Sequence, residues 1–408
     1  MRLLLLTNLY PPQELGGYGR CMADFAWALQ QRGHQLTVIS SDAPYLGPGG
    51  GHGPSGEPVQ RSLRLKGTYN GGVQALRDPL QCEQINRANQ GAIETLWRQR
   101  GPFDGALVGN IDLLGVEVLQ ALLGLGATVL HHIGFVTPPF PPQQLPCSPR
   151  YRLVGASQAV ATALQQAGLG AAPLPVVFPG VRSDLFGLAP TGRPLPSPLD
   201  GLAGADAASP PPQLGTPRHP FRVCFAGLLM GSKGAHTLVE ALALMTRQGF
   251  RVEGYLAGGS FQAGYREQLE GLLLLHGVAG VTFLGQLQRR QLARCLRLHH
   301  VCVFPSIHPE AFGIVGAEAM ASGLALVSSA VGGAAELFED GVSGLRFRAG
   351  DAADLARILM WLCQHPVDLQ RLASAGAERA RQALDVGHSA AQLEALFKAG
   401  PPPEGARG

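Results

Sequence analysis

Val301-Cys302-Val303-Phe304-Pro305-Ser306-Ile307-His308-Pro309-Glu310-Ala311-Phe312-Gly313-Ile314-Val315-Gly316-Ala317-Glu318-Ala319-Met320-Ala321-Ser322-Gly323 passes from an apolar run through a loop into a helical pattern. Val301 to Phe304 reads as a buried strand. Glu310 falls in the loop, and Glu318 follows eight residues later, with Phe312-Gly313 between them. A helix starting near Gly313 places Glu310 at its mouth and Glu318 about two turns inside. The free N–H groups of the first turn, at Gly313, Ile314 and Val315, then lie near both, at the positive end of the macrodipole. An anion binds at such an end while carboxylates accept hydroxyl hydrogens around it. A ligand with both phosphate and many hydroxyls fits, and a nucleotide sugar is one. Acidic residues are also common at helix starts for purely electrostatic reasons, so spacing alone leaves a structural role open.

The bulk properties bound the answer. A chain of 408 residues is long for one core and natural for two domains. Hydrophobic content of 46% against 15% charged residues makes it globular. A net charge of +3 gives no basis for nucleic-acid binding. Arg2 to Leu6 is too short for a signal-peptide core, and no run approaches the ~18 apolar residues of a spanning helix. Seven scattered cysteines without a Cys-x-x-Cys pair read as reduced thiols of a cytoplasmic protein. Peripheral membrane contact is compatible with the composition but not demanded by it.

Strand-like and helix-like segments alternate through both halves, which argues for βαβ units and parallel sheets. Leu3 to Leu6, Leu36 to Ser40, Gly105 to Val108, Ala127 to His131, Arg152 to Val154 and Pro175 to Phe178 are the expected strands of a first domain, residues 1–186. Its expected helices include Tyr18 to Arg32 and Gln84 to Arg100. Pro44 to Pro58 reads as a flexible loop. Residues 187–220, dominated by Pro, Gly, Ala and Ser, read as a mobile linker. Alternation resumes over 221–398 as a second domain whose last helix packs back on the first, and 399–408 reads as a disordered tail.

Chemistry is expected where strands end. Pro11 to Gly19 joins the first strand to the first helix, and its Gly16-Gly17 pair permits positive φ and close approach of amides to an anion. It does not have the dinucleotide spacing, and a plain tight turn is the alternative. In Gly227-Leu228-Leu229-Met230-Gly231-Ser232-Lys233-Gly234 a cation stands where a diphosphate would meet it. A lysine before a helix is otherwise an ordinary surface residue. His131-His132 end a strand, as a packed pair or as part of a site, with nothing at zinc-ligand spacing. Ala257-Gly258-Gly259-Ser260 follows another strand.

Taken with Gly332-Gly333-Ala334-Ala335-Glu336, the Glu-x7-Glu stretch resembles the signature of the family-4 glycosyltransferases. The resemblance covers nearly the whole chain and is specific from Gly227 to Glu336. It implies the GT-B fold: α/β, with two doubly wound Rossmann-like domains facing each other across a cleft. It also implies a retaining transfer from a nucleoside-diphosphate sugar, with Glu310 at the donor sugar and Glu318 at the ribose hydroxyls. Lys233 would clamp the diphosphate, Gly16-Gly17 would face the phosphate or acceptor, and His132, rather than His131, would reach the reaction centre. Glu310, His132 and Lys233 are thus the expected catalytic residues. Gly16, Gly17, Lys233, Glu310, Phe312, Gly313, Ile314, Val315 and Glu318 are the expected donor-binding ones.

One departure stands out. Leu228 occupies the position of the family's second diphosphate clamp, an Arg, which removes a strong charge-assisted contact. Arg289 and Arg290 are candidate replacements. His300 stands where the family has an Asp. No Asp-x-Asp pair is present, so neither a cofactor nor an obligatory metal is expected. The resemblance implies an acceptor that is a glycan, lipid-linked or small molecule. Two other readings stay open: an epimerase on the same architecture, and an inert sugar-nucleotide-binding protein.

Overall fold

Leu3, Leu4, Leu5 and Leu6 are all fully covered. A strand apolar on both faces belongs inside a parallel sheet with helices on either side. The computed structural model describes residues 1–70, 72–137, 140–169, 173–187 and 213–400. Two units divide the chain: Met1–Gly180 with the segment from Val386 onward, and Val181–Asp385.

In unit 1, β1 (Arg2–Leu6), β2 (Gln35–Ser41), β3 (Val59–Leu63), β6 (Gly105–Val108), β7 (Val129–Ile133) and β8 (Tyr151–Gly155) form a six-stranded sheet. Its order is β3-β2-β1-β6-β7-β8, and every pairing is parallel. A short antiparallel pair, β4 (Gly67–Thr68) and β5 (Gln74–Ala75), lies apart. The helices are α1 (Tyr18–Gln31), α2 (Pro79–Arg100), α3 (Glu117–Gly124), α4 (Gln158–Gln166) and the terminal α12 (Val386–Lys398). Helix α2 starts five residues before the expected Gln84, because Asp78 accepts a hydrogen bond from the Leu80 amide and Pro79 is preset for the first turn.

Three expectations change. Strand β3 has only Val59 and Leu63 buried, so its sequence, VQRSL, shows too little apolar signal for an edge strand to be seen. The Pro44–Pro58 stretch is pinned: Tyr10 donates to Glu57, the Val59 amide donates to Gly51 (2.9 Å), and Arg61 Nε donates to Gly50 (3.2 Å). Pro175 to Phe178 contributes a single bridge, Gly155 to Val176, rather than a strand.

Unit 2 repeats the same winding. The strands β9 (Phe221–Ala226), β10 (Val252–Ala257), β11 (Val281–Gly285), β12 (Val301–Phe304), β13 (Ala325–Ser328) and β14 (Leu345–Arg346) lie in the order β11-β10-β9-β12-β13-β14, again parallel. The helices α5 (Ser183–Phe186), α6 (Ala235–Arg247), α7 (Tyr265–His276), α8 (Arg289–Leu296), α9 (Ile314–Ala321), α10 (Ala352–Gln364) and α11 (Pro366–Ala383) complete it. Phe221, Phe225, Leu238, Leu242, Leu256 and Leu359 are central to its core.

The unit boundary falls at 180 rather than 186, since α5 packs into unit 2. Phe186 is fully buried there, and Arg297 Nη2 donates to the Leu185 carbonyl at 3.2 Å. At the other end unit 2 stops at Asp385, and α12 packs on α1. Val386, Ala390 and Leu393 are fully covered, Arg32 Nε meets Glu394 at 2.6 Å, and Arg152 Nη2 caps Gly400 at 2.7 Å. Of the expected linker, Leu214 joins the unit 2 core, whereas residues 188–212 lie outside the described residues, as do 401–408 of the tail. No helix among the described residues is long and apolar enough to cross a membrane.

Four histidines are buried as neutral rings. Desolvation pushes His131 down to about 3, and His132, His299 and His300 down to about 4.

Two predictions follow from this packing. Leu393→Ala should destabilise unit 1 by about 2–5 kcal/mol; amide exchange of α1 and β1 should speed up while that of β9 and β10 stays unchanged. The histidines bind protons in the unfolded chain below its ordinary value of about 6.5 but resist them when folded. Their stabilisation is therefore complete above that value and is lost as pH falls towards 4. The unfolding free energy from urea titration should hold from pH 7.5 to about 6.5 and then fall towards pH 5, on the order of 1.4 kcal/mol per pH unit per histidine.

Candidate functional site

In unit 2 the strand order reverses direction between β9 and β12, which makes the C-terminal ends of these two strands the topological switch point. Both expected motifs lie there. The β9 loop ends in a 3-10 turn, Gly231–Lys233, and Gly234 starts α6 with φ of 69°. A Cβ on Gly234 would stand 2.0 Å from the Pro305 carbonyl oxygen, so only glycine lets the two loops close on each other. The Ile307 amide donates to the Ser232 carbonyl (2.9 Å) and fastens them.

Across this seam Lys233 Nζ donates to Glu310 Oε1 at 2.6 Å, and Ser306 Oγ donates to the same oxygen at 2.5 Å. The Lys233 and Glu310 side chains keep 29% and 14% of their exposure, so water screens the pair and its value is orientation more than stability. The Glu310 backbone is held from the other side. Its amide donates to Val331 (3.2 Å), and its carbonyl accepts from Gly333 (2.7 Å). A Cβ on Gly332 would approach the Glu310 carbonyl oxygen to 2.5 Å, which accounts for the glycine in the Gly332-Gly333 string.

Gly313, with φ of 104°, caps α9, whose first return bond runs from the Ala317 amide to the Gly313 carbonyl at 3.3 Å. The Ile314 and Val315 amides precede that bond and belong to the unsatisfied first turn. Phe312 is buried beside them. Glu318 lies five residues past the cap, about 1.4 turns rather than two. It is fully buried, with Arg289 Nη2 3.6 Å from its Oε1, and the Arg289 guanidinium lies 5.6 Å over the Phe186 ring. The structure thus sets Arg289 against Glu318, while Arg290 is exposed. Leu228 is half-buried in a β9 loop stitched to the β10 loop by Leu229 to Gly259 (2.9 Å) and Gly231 to Gln262 (2.9 Å).

In unit 1, Gly16 has φ of 68° and Gly17 caps α1. His132 is fully covered and both its ring nitrogens are taken. Nε2 donates to the Val177 carbonyl (2.8 Å), and the Tyr18 hydroxyl, 2.8 Å from Nδ1, shares its proton between that nitrogen and the His132 carbonyl (2.5 Å). His132 is thus fully covered, and the half-buried Tyr18 packs over it. The Tyr18 ring fits because Gly134 has no Cβ, which would fall 1.9 Å from it. His131 bonds the Tyr151 hydroxyl at 2.8 Å. His300 Nδ1 accepts from the Arg222 amide at 2.9 Å, a structural role.

Sequence reasoning missed Ser306, Tyr18 and the Arg289–Glu318 contact. It also missed a network at the unit 1 switch point, where Asn8 Nδ2 and the Tyr69 hydroxyl (2.8 Å) both donate to Asp112. Burial holds the Asp112 carboxyl above its usual range. The available signal was a polar residue one to four positions past a strand end, which Asn8, Ser306 and Asp112 share. Among the described residues no cluster of three or more His, Cys, Asp or Glu stands ready to hold a metal ion.

Residues 209–379 match the family model for glycosyl transferases group 1. The chain is 33% identical to the D-inositol 3-phosphate glycosyltransferase of Thermomonospora curvata over 214 residues, 50% of this chain and 47% of that protein. It spans about half the length of the inositol-phosphate glycosyltransferases it matches. A longer match, 26% identical over 98% of this chain and 96% of the relative, joins it to a glycogen synthase of Mycobacterium tuberculosis. Among solved structures, Anabaena HepE in complex with UDP and glucose superposes with a TM-score of 0.72 at 21% identity, covering 98% of this chain and all of that one. That likeness shows the fold class, two parallel α/β Rossmann-like domains as in the GT-B glycosyltransferases, and the group 1 glycosyl transferase match falls on unit 2.

Proposed function

We propose that the protein is a metal-independent, retaining glycosyltransferase of the family-4 type, moving a sugar from a nucleoside-diphosphate sugar to a glycan, lipid-linked or small-molecule acceptor. The observation that carries this reading is the meeting of Lys233 and Glu310 at the unit 2 switch point, beside the α9 N-terminus. The group 1 match over the same residues supports it, as does a fold neighbour that holds UDP and glucose.

Breaking the bond between an anomeric carbon and a diphosphate puts negative charge on the departing oxygen and oxocarbenium character on the sugar. Lys233, on exchanging Glu310 for the diphosphate, and the Ile314 and Val315 amides would be the donors to that charge. Glu310 orients the sugar hydroxyls and offsets the developing cation. Glu318 takes the ribose, remote from the bond that breaks, and Arg289 must turn aside for the ribose to reach it. His132, neutral at pH 7, acts through Tyr18, whose hydroxyl lies 2.8 Å from its Nδ1 and whose backbone follows the Gly16-Gly17 turn. Unit 1 takes the acceptor in this scheme, and a cytoplasmic setting with peripheral membrane contact belongs to the same proposal.

A thermal-shift screen over UDP, GDP and ADP should give a saturable rise with one of them; no rise with any would overturn the reading. For the nucleotide so found, Glu318→Gln should weaken binding about 10- to 100-fold, since a hydrogen bond to a charged group contributes about 1.5–3 kcal/mol. Leu228→Arg should tighten diphosphate binding about tenfold by restoring a bidentate clamp. An unchanged calorimetric dissociation constant would mean that the β9 loop is built around another contact.

A further inference from the structure

Ser306 lies two residues beyond β12 and is 1% exposed. Its single hydroxyl proton goes to Glu310 Oε1 (2.5 Å), the oxygen that also accepts from Lys233 (2.6 Å). Among the described residues no side chain or amide is bonded to Glu310 Oε2. Both donors therefore fix one oxygen and leave the other with its acceptor capacity open. Ser306 is itself anchored: its carbonyl accepts from Ser329 Oγ at 2.6 Å, and the Ser329 amide donates to Phe304 at 3.2 Å, tying the β12 exit to the β13 exit.

We propose that Ser306 is the positioning residue that keeps Glu310 aimed at the donor sugar once Lys233 is drawn to the diphosphate. The inference rests on the glycosyltransferase reading above. Lys233 is a mobile point charge, and a diphosphate outcompetes one carboxylate for it. A neutral hydroxyl on a buried, bonded backbone has no such competing partner. Losing Ser306 should thus harm recognition of the sugar and not of the nucleotide.

The test uses the full chain and compares calorimetric dissociation constants for a nucleoside diphosphate with those for its glucose-bearing form. The wild type should bind the sugar form more tightly. Ser306→Ala should cut that increment about 10-fold or more while the nucleoside diphosphate constant stays within about twofold, as for loss of one hydrogen bond to a charged group. Ser306→Thr, which keeps the hydroxyl, should restore most of the increment; a structural defect would instead weaken both ligands together. The inference is overturned if Ser306→Ala weakens both ligands equally or neither, if Ser306→Thr fails to rescue, or if the wild type shows no sugar increment. A wild type that binds no nucleoside diphosphate at all would overturn the glycosyltransferase reading as well.

Discussion

The closure of the β9 loop on the β12 loop is the contact on which the rest of unit 2's site depends. It is made of three unlike interactions: a steric one, in which Gly234 has no Cβ to meet the Pro305 carbonyl; a backbone bond from Ile307 to Ser232; and the charged bond from Lys233 to Glu310. The first two set a separation that the third exploits. A partly exposed ion pair contributes little stability by itself, since solvent screens it and two long side chains lose freedom. Here the backbone has already fixed both Cα positions, so less entropy is lost when the pair forms.

The two units use one winding and two chemistries. At the unit 1 switch point Asn8, Tyr69 and Asp112 form a network in which burial and hydrogen bonding oppose each other at the carboxyl, desolvation being the larger. At the unit 2 switch point a cation and a carboxylate remain partly in water. A desolvated carboxyl suits hydroxyl recognition, because it has little charge to give up to solvent and its partners are already ordered. A hydrated cation suits a multiply charged ligand, which is attracted over a longer range and brings its own counter-charge. The same topology thus carries unlike side-chain chemistry in a handful of residues past the strand ends.

Much of this was legible in the sequence. The alternation of short apolar runs with helical patterns gave two parallel α/β units, because buried parallel strands cannot hide their apolar content. The Glu310–Glu318 spacing and the glycines around it marked the switch-point loop. What escaped had weak or non-local signals. Edge strand β3 is polar, since an edge buries little. The boundary after Gly180 depends on Phe186 finding a pocket beside Arg289, over one hundred positions away in the chain. His132 carries a polar side chain at a strand end whether it faces ligand or core, and only the positions of Val177 and Tyr18 decide that it faces the core.

Leu228 and Arg289 are best considered together. Without an arginine at 228, the β9 loop carries one cation, Lys233, and that cation is already bonded to a carboxylate. Arg289 does not make up the loss, because it faces a fully buried carboxylate, Glu318, whose charge would otherwise be costly. Lys233 and Arg289 therefore each face a carboxylate, and under the proposed donor site a diphosphate would have to exchange those partners rather than fill empty positions. Exchange costs less binding energy at Lys233, where water can re-solvate Glu310, than at Arg289, where a buried carboxylate would be left behind. On the donor-site reading proposed above, a diphosphate would therefore recruit Lys233 before Arg289, which would leave Glu318 only in exchange for ribose hydroxyls.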